Sequence, residues 1–204
     1  MRVLVPFDAR RPKTRLADAL GEADRKAFAR VMLRDVLAAV RVTGREPEVL
    51  ATAPVDVEAT VAVDERPLSE AVNAVLAGTN EPVAVVMADL ALATAFALED
   101  LFETAGDVVF APGRGGGTNA IVARHPEFRV DYHGVSYLDH LRAARECGAT
   151  VAVVDSHRLA TDVDERADFA EVLIHGEGES REWLRARGFE LAPEAGRTDV
   201  ARTR

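Results

Sequence analysis

Asp89 closes the run Val83-Ala84-Val85-Val86-Met87-Ala88, which is apolar on both faces. A carboxylate there sits at the rim where open α/β sheets bind ligands. Magnesium is held by a few carboxylates together with substrate phosphates and retained waters. Asp is equally a favoured helix N-cap, and position alone does not separate the two roles. Asp162-Val163-Asp164 is the second acidic feature. Residues i and i+2 of an extended segment share a face, so both carboxylates can meet one metal pair while Val163 turns to the core. The competing reading is that Asp164 opens the helix that follows. Three carboxylates at strand ends suit a divalent-metal phosphate site better than any one of them alone.

Groups that attract anions lie around them. Gly113-Arg114-Gly115-Gly116-Gly117-Thr118-Asn119 follows a strand, and its glycines let backbone N–H groups approach an anion. It lacks the Gly-Lys-Ser/Thr of a phosphate-binding P-loop, and no helix opens after it as a dinucleotide fingerprint requires. A plain surface loop fits as well. Lys13-Thr14-Arg15 follows the first strand and can neutralise a triphosphate, or can be a solvated basic loop with Arg10 and Arg11. Gly134-Val135-Ser136-Tyr137-Leu138-Asp139 opens a helix, with Ser136 and Asp139 close to a capping box. The same helix start can hold a phosphate or carboxylate. His125, His133, His140, His157 and His175 are too scattered for a zinc motif and are expected mostly at the surface. Cys147 is expected in the core.

The elements that position these residues follow from hydrophobic period. Val3-Leu4-Val5 reads as a strand ended by Pro6. Phe28, Val31, Met32, Val36, Ala39 and Val40 line one face of a helix from about Glu22 to Arg41. Val49 to Ala53 and Ala59 to Val63 read as strands, and Leu68 to Leu76 as a helix ended by Gly78. Val83 to Ala88 has the character of a central parallel strand covered on both sides. Val108 to Ala111, Ala120 to Ala123, Phe128 to Val130 and Ala149 to Val154 are further strands. Ser136 to Cys147, Asp164 to Ile174 and Ser180 to Arg187 are helices. The alternation predicts a three-layer α/β/α domain with a mainly parallel sheet, spanning residues 1–192. The segment 193–204 lacks apolar anchors and is expected to be mobile.

Composition narrows the class. The 204 residues suit one domain, with 48% hydrophobic and 29% charged residues arguing against disorder. No apolar run approaches the roughly 20 residues of a membrane helix, and Met1 to Pro6 is too short for a signal-peptide core. A single cysteine excludes an internal disulfide and points to a reducing cytoplasm. The net charge of −9 disfavours binding to a nucleic-acid backbone. Of the 25 basic residues only Lys13 and Lys26 are lysines. Scarce lysine with excess acid suits work in concentrated salt; a GC-rich genome gives a similar arginine bias.

Five stretches, in order from about Val3 to Val172, resemble the CofC family, the 2-phospho-L-lactate guanylyltransferases of coenzyme F-420 biosynthesis. They are Val5-Pro6-Phe7 with Lys13-Thr14-Arg15-Leu16, Met87-Ala88-Asp89-Leu90, Gly117-Thr118-Asn119-Ala120, Gly134-Val135-Ser136-Tyr137 with His140, and Leu159-Ala160-Thr161 with Asp162-Val163-Asp164. The resemblance implies a MobA-like nucleotidyltransferase fold close to the GT-A core, and a homodimer. It implies transfer of GMP from GTP to 2-phospho-L-lactate, giving lactyl-2-diphospho-5′-guanosine and pyrophosphate. Members of the family use 2-phospholactate, phosphoenolpyruvate or 3-phosphoglycerate, so the same reaction on either of the last two is the alternative that the resemblance leaves open. It implies Mg2+ on Asp89, Asp162 and Asp164 as the catalytic centre, Lys13, Arg15 and Asn73 near the nucleotide, and Thr118, Gly134 and Ser136 on the acceptor. Asp8 stands where many members carry lysine, and Ala91 where a proline is usual. Two rivals are a molybdopterin or sugar-phosphate nucleotidyltransferase and a non-catalytic nucleotide-binding regulator. The first typically has glycines after strand one, which Val5 to Leu16 lacks; the second has no need of three carboxylates.

Overall fold

The β-branched runs become strands and the longer amphipathic stretches become helices. The computed structural model describes residues 1–194 and 197–202. Seven strands build the main sheet: β1 (Arg2–Phe7), β2 (Pro47–Ala51), β3 (Thr60–Val63), β4 (Val83–Val86), β5 (Val108–Pro112), β6 (Thr118–Ala123) and β7 (Val151–Val153). Their order is β3-β2-β1-β4-β6-β5-β7. All neighbours pair in parallel except β6, which is antiparallel to both β4 and β5. The first residues of β6, Thr118 and Asn119, lie at the same rim as the last residues of β1, β4 and β5.

The sheet is buried on both faces, and alternate residues feed two cores. Val3, Val5 and Phe7 of β1 join Ala84 and Val86 of β4 on one side, under α1 (Glu22–Val42), α3 (Ala95–Glu103), α6 (Asp168–His175) and α7 (Glu179–Ala186). Leu4 joins Val83 and Val85 on the other, under α2 (Leu68–Ala77) and α4 (Ser136–Glu146). A buried Val or Leu contributes about 1.5–3 kcal/mol relative to exposure, so the wholly buried β4 is a main anchor of the sheet. Long α1 starts with Glu22 and Asp24 and ends with Arg41, in keeping with the helix dipole. Its Phe28 packs edge-on to Phe169 of α6, at 5.5 Å between centroids, and lies 4.9 Å from Trp183 of α7.

Four expectations need correction. Pro6 lies inside β1, opposite Leu50 of β2. Pairing of β1 with β4 stops at Leu4, so the missing N–H of Pro6 costs no ladder bond. Phe128 to Val130 is not a strand. The N–H of Val130 donates to Asn73 Oδ1 (2.8 Å) and its carbonyl accepts from Asn73 Nδ2 (2.9 Å). The Asn73 amide thus replaces a neighbouring strand. Helix α6 starts at Asp168 with Ala167 in the cap position, so Asp164 neither caps nor opens it. Finally, the segment expected to lack apolar anchors pairs as a hairpin of β8 (Phe189–Glu194) and β9 (Arg197–Arg202). Val200 is buried, 1% exposed, and is the anchor overlooked in the sequence. Residues 195–196 and 203–204 of that segment lie outside the described residues.

Candidate active site

The rim is organised first by Asp8, which follows β1. Its Oδ1 accepts from the N–H groups of Arg10 (2.9 Å) and Arg11 (3.2 Å) and from the Thr52 hydroxyl (3.0 Å). The loop so formed delivers Lys13 in a left-handed conformation, φ 54°, unique to it among the described non-glycine residues. Such a conformation costs on the order of 1 kcal/mol and needs surrounding contacts to hold it. Two contacts do so. Lys13 Nζ donates to Asp89 Oδ2 (2.6 Å) and to Asp164 Oδ1 (2.8 Å). Arg15, on the short 3-10 helix Thr14–Asp18, reaches Asp164 Oδ2 at 2.8 Å from an exposed position.

The three carboxylates singled out in the sequence come together. One oxygen each of Asp89, Asp162 and Asp164 lies within 4.8 Å of the other two. The alternation across Asp162-Val163-Asp164 works as expected. Val163 is fully buried, and its N–H donates to the Asp89 carbonyl (3.2 Å), which stitches the two acidic segments together. Asp162 Oδ1 accepts from Asn119 Nδ2 (3.1 Å), and the same amide donates to the Leu159 carbonyl (3.0 Å). Asp168 Oδ2 accepts from the N–H groups of Asp164 (3.0 Å) and Glu165 (2.8 Å) and so fixes the other flank.

The electrostatics differ within the trio. Burial, followed by the charge of Asp89, raises Asp162 above its ordinary value, against the bond from Asn119. Burial alone would raise Asp164 too, but Lys13 and Arg15 outweigh it and hold that carboxyl low. Burial would lower Lys13; Asp89 and Asp164 outweigh it and keep the ammonium charged. Asp89 Oδ1 is buried and has no hydrogen-bond partner. A buried carboxylate oxygen without a partner is costly, and hard oxygen donors in a group of three suit magnesium. The residues present therefore fit a divalent cation. A cleft of about 390 Å3 opens beside them, lined by Asp8, Arg11, Lys13, Arg15, Asp89 and Asp164 among others.

The remaining candidates are placed differently. Asn73 has its amide engaged on both sides by Val130. Ser136 is the first residue of α4, not its cap; Val135 occupies the cap position without a side-chain bond. Its Oγ instead accepts from the Thr118 N–H (3.1 Å), and Asp139 pairs with Arg142. This overturns the capping box. Thr118 and Ser136 are both buried, while Gly134 is exposed at φ 56°. None of the three lines the cleft beside Asp89. His140 is fully buried rather than at the surface. Its Nε2 accepts from the Asp131 N–H (2.8 Å), so the proton is on Nδ1, which donates to Thr118 Oγ1 (2.9 Å). Cys147 is only half-buried. Asn119 and Asp168 were missed as site-shaping residues. Asn119 stands out in the sequence only as part of the glycine-rich loop and of a matching motif, and the one hint at Asp168 is an acid where a helix begins.

The family model described as guanylyl transferase CofC-like matches residues 1–203. A 2-phospho-L-lactate guanylyltransferase of Halomicrobium mukohataei is 61% identical over 202 residues, 99% of this chain and 100% of that protein. One of Haloferax volcanii is 60% identical over 205 residues, covering all of both chains. Among solved structures, a proposed nucleotide-diphospho-sugar transferase from Desulfovibrio desulfuricans G20 aligns with TM-score 0.69 at 18% identity, covering 91% of this chain and 94% of that one. A nucleotidyl transferase from Methanothermobacter aligns with TM-score 0.58 at 12% identity, covering 91% and 99%. At such identities the structural matches speak for the fold, a nucleotidyltransferase-type three-layer α/β architecture. The match along the whole sequence speaks for descent: the chain belongs to the CofC-like guanylyl transferase family.

Proposed function

We propose that the chain transfers GMP from GTP to 2-phospho-L-lactate, giving lactyl-2-diphospho-5′-guanosine and pyrophosphate, a step of coenzyme F-420 biosynthesis. The observation that carries the chemistry is the convergence of Asp89, Asp162 and Asp164 beside a cleft, with Asp89 Oδ1 buried and unpartnered. The choice of substrates rests on relatives of 60–61% identity that carry this activity in their names.

The three aspartates would hold magnesium, which when bound offsets the negative charge of the phosphates. The chain's own groups do the rest. The acceptor phosphate is mostly dianionic at neutral pH, its second pKa being about 6, so it attacks the α-phosphorus without a general base. A P–O bond forms there as the bond to the β-phosphate oxygen breaks and pyrophosphate leaves. The barrier is mutual repulsion of two anions, and positioned positive groups lower it. Lys13 and Arg15 supply such groups at the mouth of the cleft. Their present partners are Asp89 and Asp164, so they exchange a carboxylate for a phosphate as substrates enter. Thr118, Gly134 and Ser136 serve the acceptor side: the buried pair Thr118 and Ser136 fixes the start of α4, and exposed Gly134 presents backbone. Asn73 stands near the nucleotide, where its amide holds Val130 in place.

The enzyme works as one nucleotidyltransferase domain, as a homodimer in a saline cytoplasm. The charge of −9, the two lysines and relatives named from Halomicrobium and Haloferax support the saline setting. Among the described residues no helix is long and apolar enough to cross a membrane. The test is a matrix of nucleoside triphosphates against 2-phospholactate, phosphoenolpyruvate and 3-phosphoglycerate, with the adduct weighed by mass spectrometry. The expected adduct forms from GTP and 2-phospholactate. A preference for either other acid would correct the substrate, and GTP binding without any adduct would overturn the reading.

A further inference from the structure

Two histidines far apart in sequence meet on the surface away from the cleft. His157 opens α5 (His157–Ala160), and His175 ends α6, with Glu171 one turn before it. His157 Nε2 is 3.2 Å from Glu171 Oε2, and His175 Nε2 is 3.8 Å from the same oxygen. The two rings stand edge to face with centroids 5.2 Å apart. One donor atom from each of the three side chains lies within 4.8 Å of the other two. Around a tetrahedral zinc, with bonds of about 2.0–2.2 Å to N and O, ligand atoms sit about 3.3–3.5 Å apart. The 3.2 and 3.8 Å distances bracket that spacing. Both histidine side chains are about half exposed, so small rotations close the set and leave a fourth position open to solvent.

The backbone beneath the triad is braced. Ser156 caps α5. Arg158 donates from Nη1 to the carbonyls of Leu92 and His175, both at 3.3 Å, and from Nη2 to Glu177 (2.8 Å). Glu171 divides its oxygens: Oε1 faces Arg114 Nη1 at 3.8 Å, while Oε2 faces the two imidazoles. Arg114 thus stands as an ion-pair neighbour on the side of the carboxylate away from the imidazoles.

We propose that His157, Glu171 and His175 form a site for a zinc-type divalent metal, distinct from the aspartate trio. The two sites differ in chemistry. Imidazole nitrogen selects zinc-like ions, whereas a set of carboxylate oxygens suits magnesium. The metal would tie α5 to α6. Asp162 follows α5 and Asp164 precedes α6, so the ion would brace the segment that carries two of the three aspartates. The proposal concerns metal binding and stands whether or not the nucleotidyl-transfer reading holds.

Cobalt(II) serves as the spectroscopic probe. The full chain is titrated with it in excess magnesium, followed by its visible d–d bands, and zinc is then added in competition. The expected result is one equivalent of cobalt per chain, displaced by zinc. His157→Gln and His175→Gln should each weaken binding by about 100-fold or more, beyond the usual loss of an outer partner. Asp89→Asn should leave it unchanged. His157→Asn and His175→Asn repeat the measurement if a glutamine variant fails to fold. A simple His–Glu ion pair leaves only the weak bands of hydrated cobalt in the wild type, and that result overturns the proposal. Binding that survives both histidine changes, or that disappears with Asp89→Asn, does so equally.

Discussion

Lys13 occupies the space between two of the carboxylates that the proposed mechanism assigns to a cation. It is only 10% exposed, so its bonds are less screened than those of the surface pairs. Removing it leaves three acidic groups facing one another. Lys13→Met should destabilise the metal-free protein by about 1–3 kcal/mol, below the loss for a fully buried pair because Asp164 is partly open. Magnesium should then raise the melting temperature of the variant more than that of the wild type, as measured by calorimetry with and without chelator. Equal shifts would mean that Lys13 does not compete with the ion. His140 makes a second prediction. Burial lowers its pKa to about 4 from an ordinary 6.5, against the pull of Asp131 and Asp139. The unfolded chain therefore binds a proton that the native one refuses between these values. The stability His140 contributes is complete above about pH 6.5 and falls as pH drops toward 4, by a total on the order of 3 kcal/mol. His140→Gln should flatten that part of the stability–pH curve in urea melts; an unchanged slope would place the acid sensitivity elsewhere.

Elements hold these residues through a few long-range polar contacts. Asp35, in the middle of α1, accepts from the N–H groups of Glu179 (2.7 Å) and Ser180 (2.8 Å) and so caps α7 from a distant helix. Asp35→Ala should cost about 1–2 kcal/mol, a fall in melting temperature of about 2–8 °C, while a cap that water replaces would cost nothing measurable. Such contacts also mark where sequence reading stops. The period of Phe28, Val31, Met32 and Val36 reveals α1, and the double-sided apolar run reveals β4, because each pattern is local. The three aspartates could be picked out because they sit at element ends. The Asn73 clamp on Val130, the Asp35 cap and the meeting of His157 with His175 join residues 57, 144 and 18 positions apart, and no local period encodes them. Ser136 shows the opposite failure: the local pattern of a capping box was present, and tertiary contact with Thr118 took the hydroxyl instead.

The whole molecule brings the aspartate trio, Lys13 and Asn119 to one rim because the sheet is almost all parallel and its one reversed strand, β6, enters from that side. The surface is ringed with ion pairs such as Arg34–Glu179 and Arg45–Glu103. Exposed pairs of this kind contribute about 0–1 kcal/mol each, so the two buried cores carry the stability. At the rim three carboxylates converge and Lys13 and Arg15 pair with two of them. The most direct test is pyrophosphate release from GTP and 2-phospholactate across a magnesium titration, for the wild type and for Asp89→Asn with folding checked by circular dichroism. The aspartate cluster predicts that the folded variant loses about 10²–10³-fold in rate and needs more magnesium for what remains. Wild-type turnover at the wild-type magnesium requirement would contradict it.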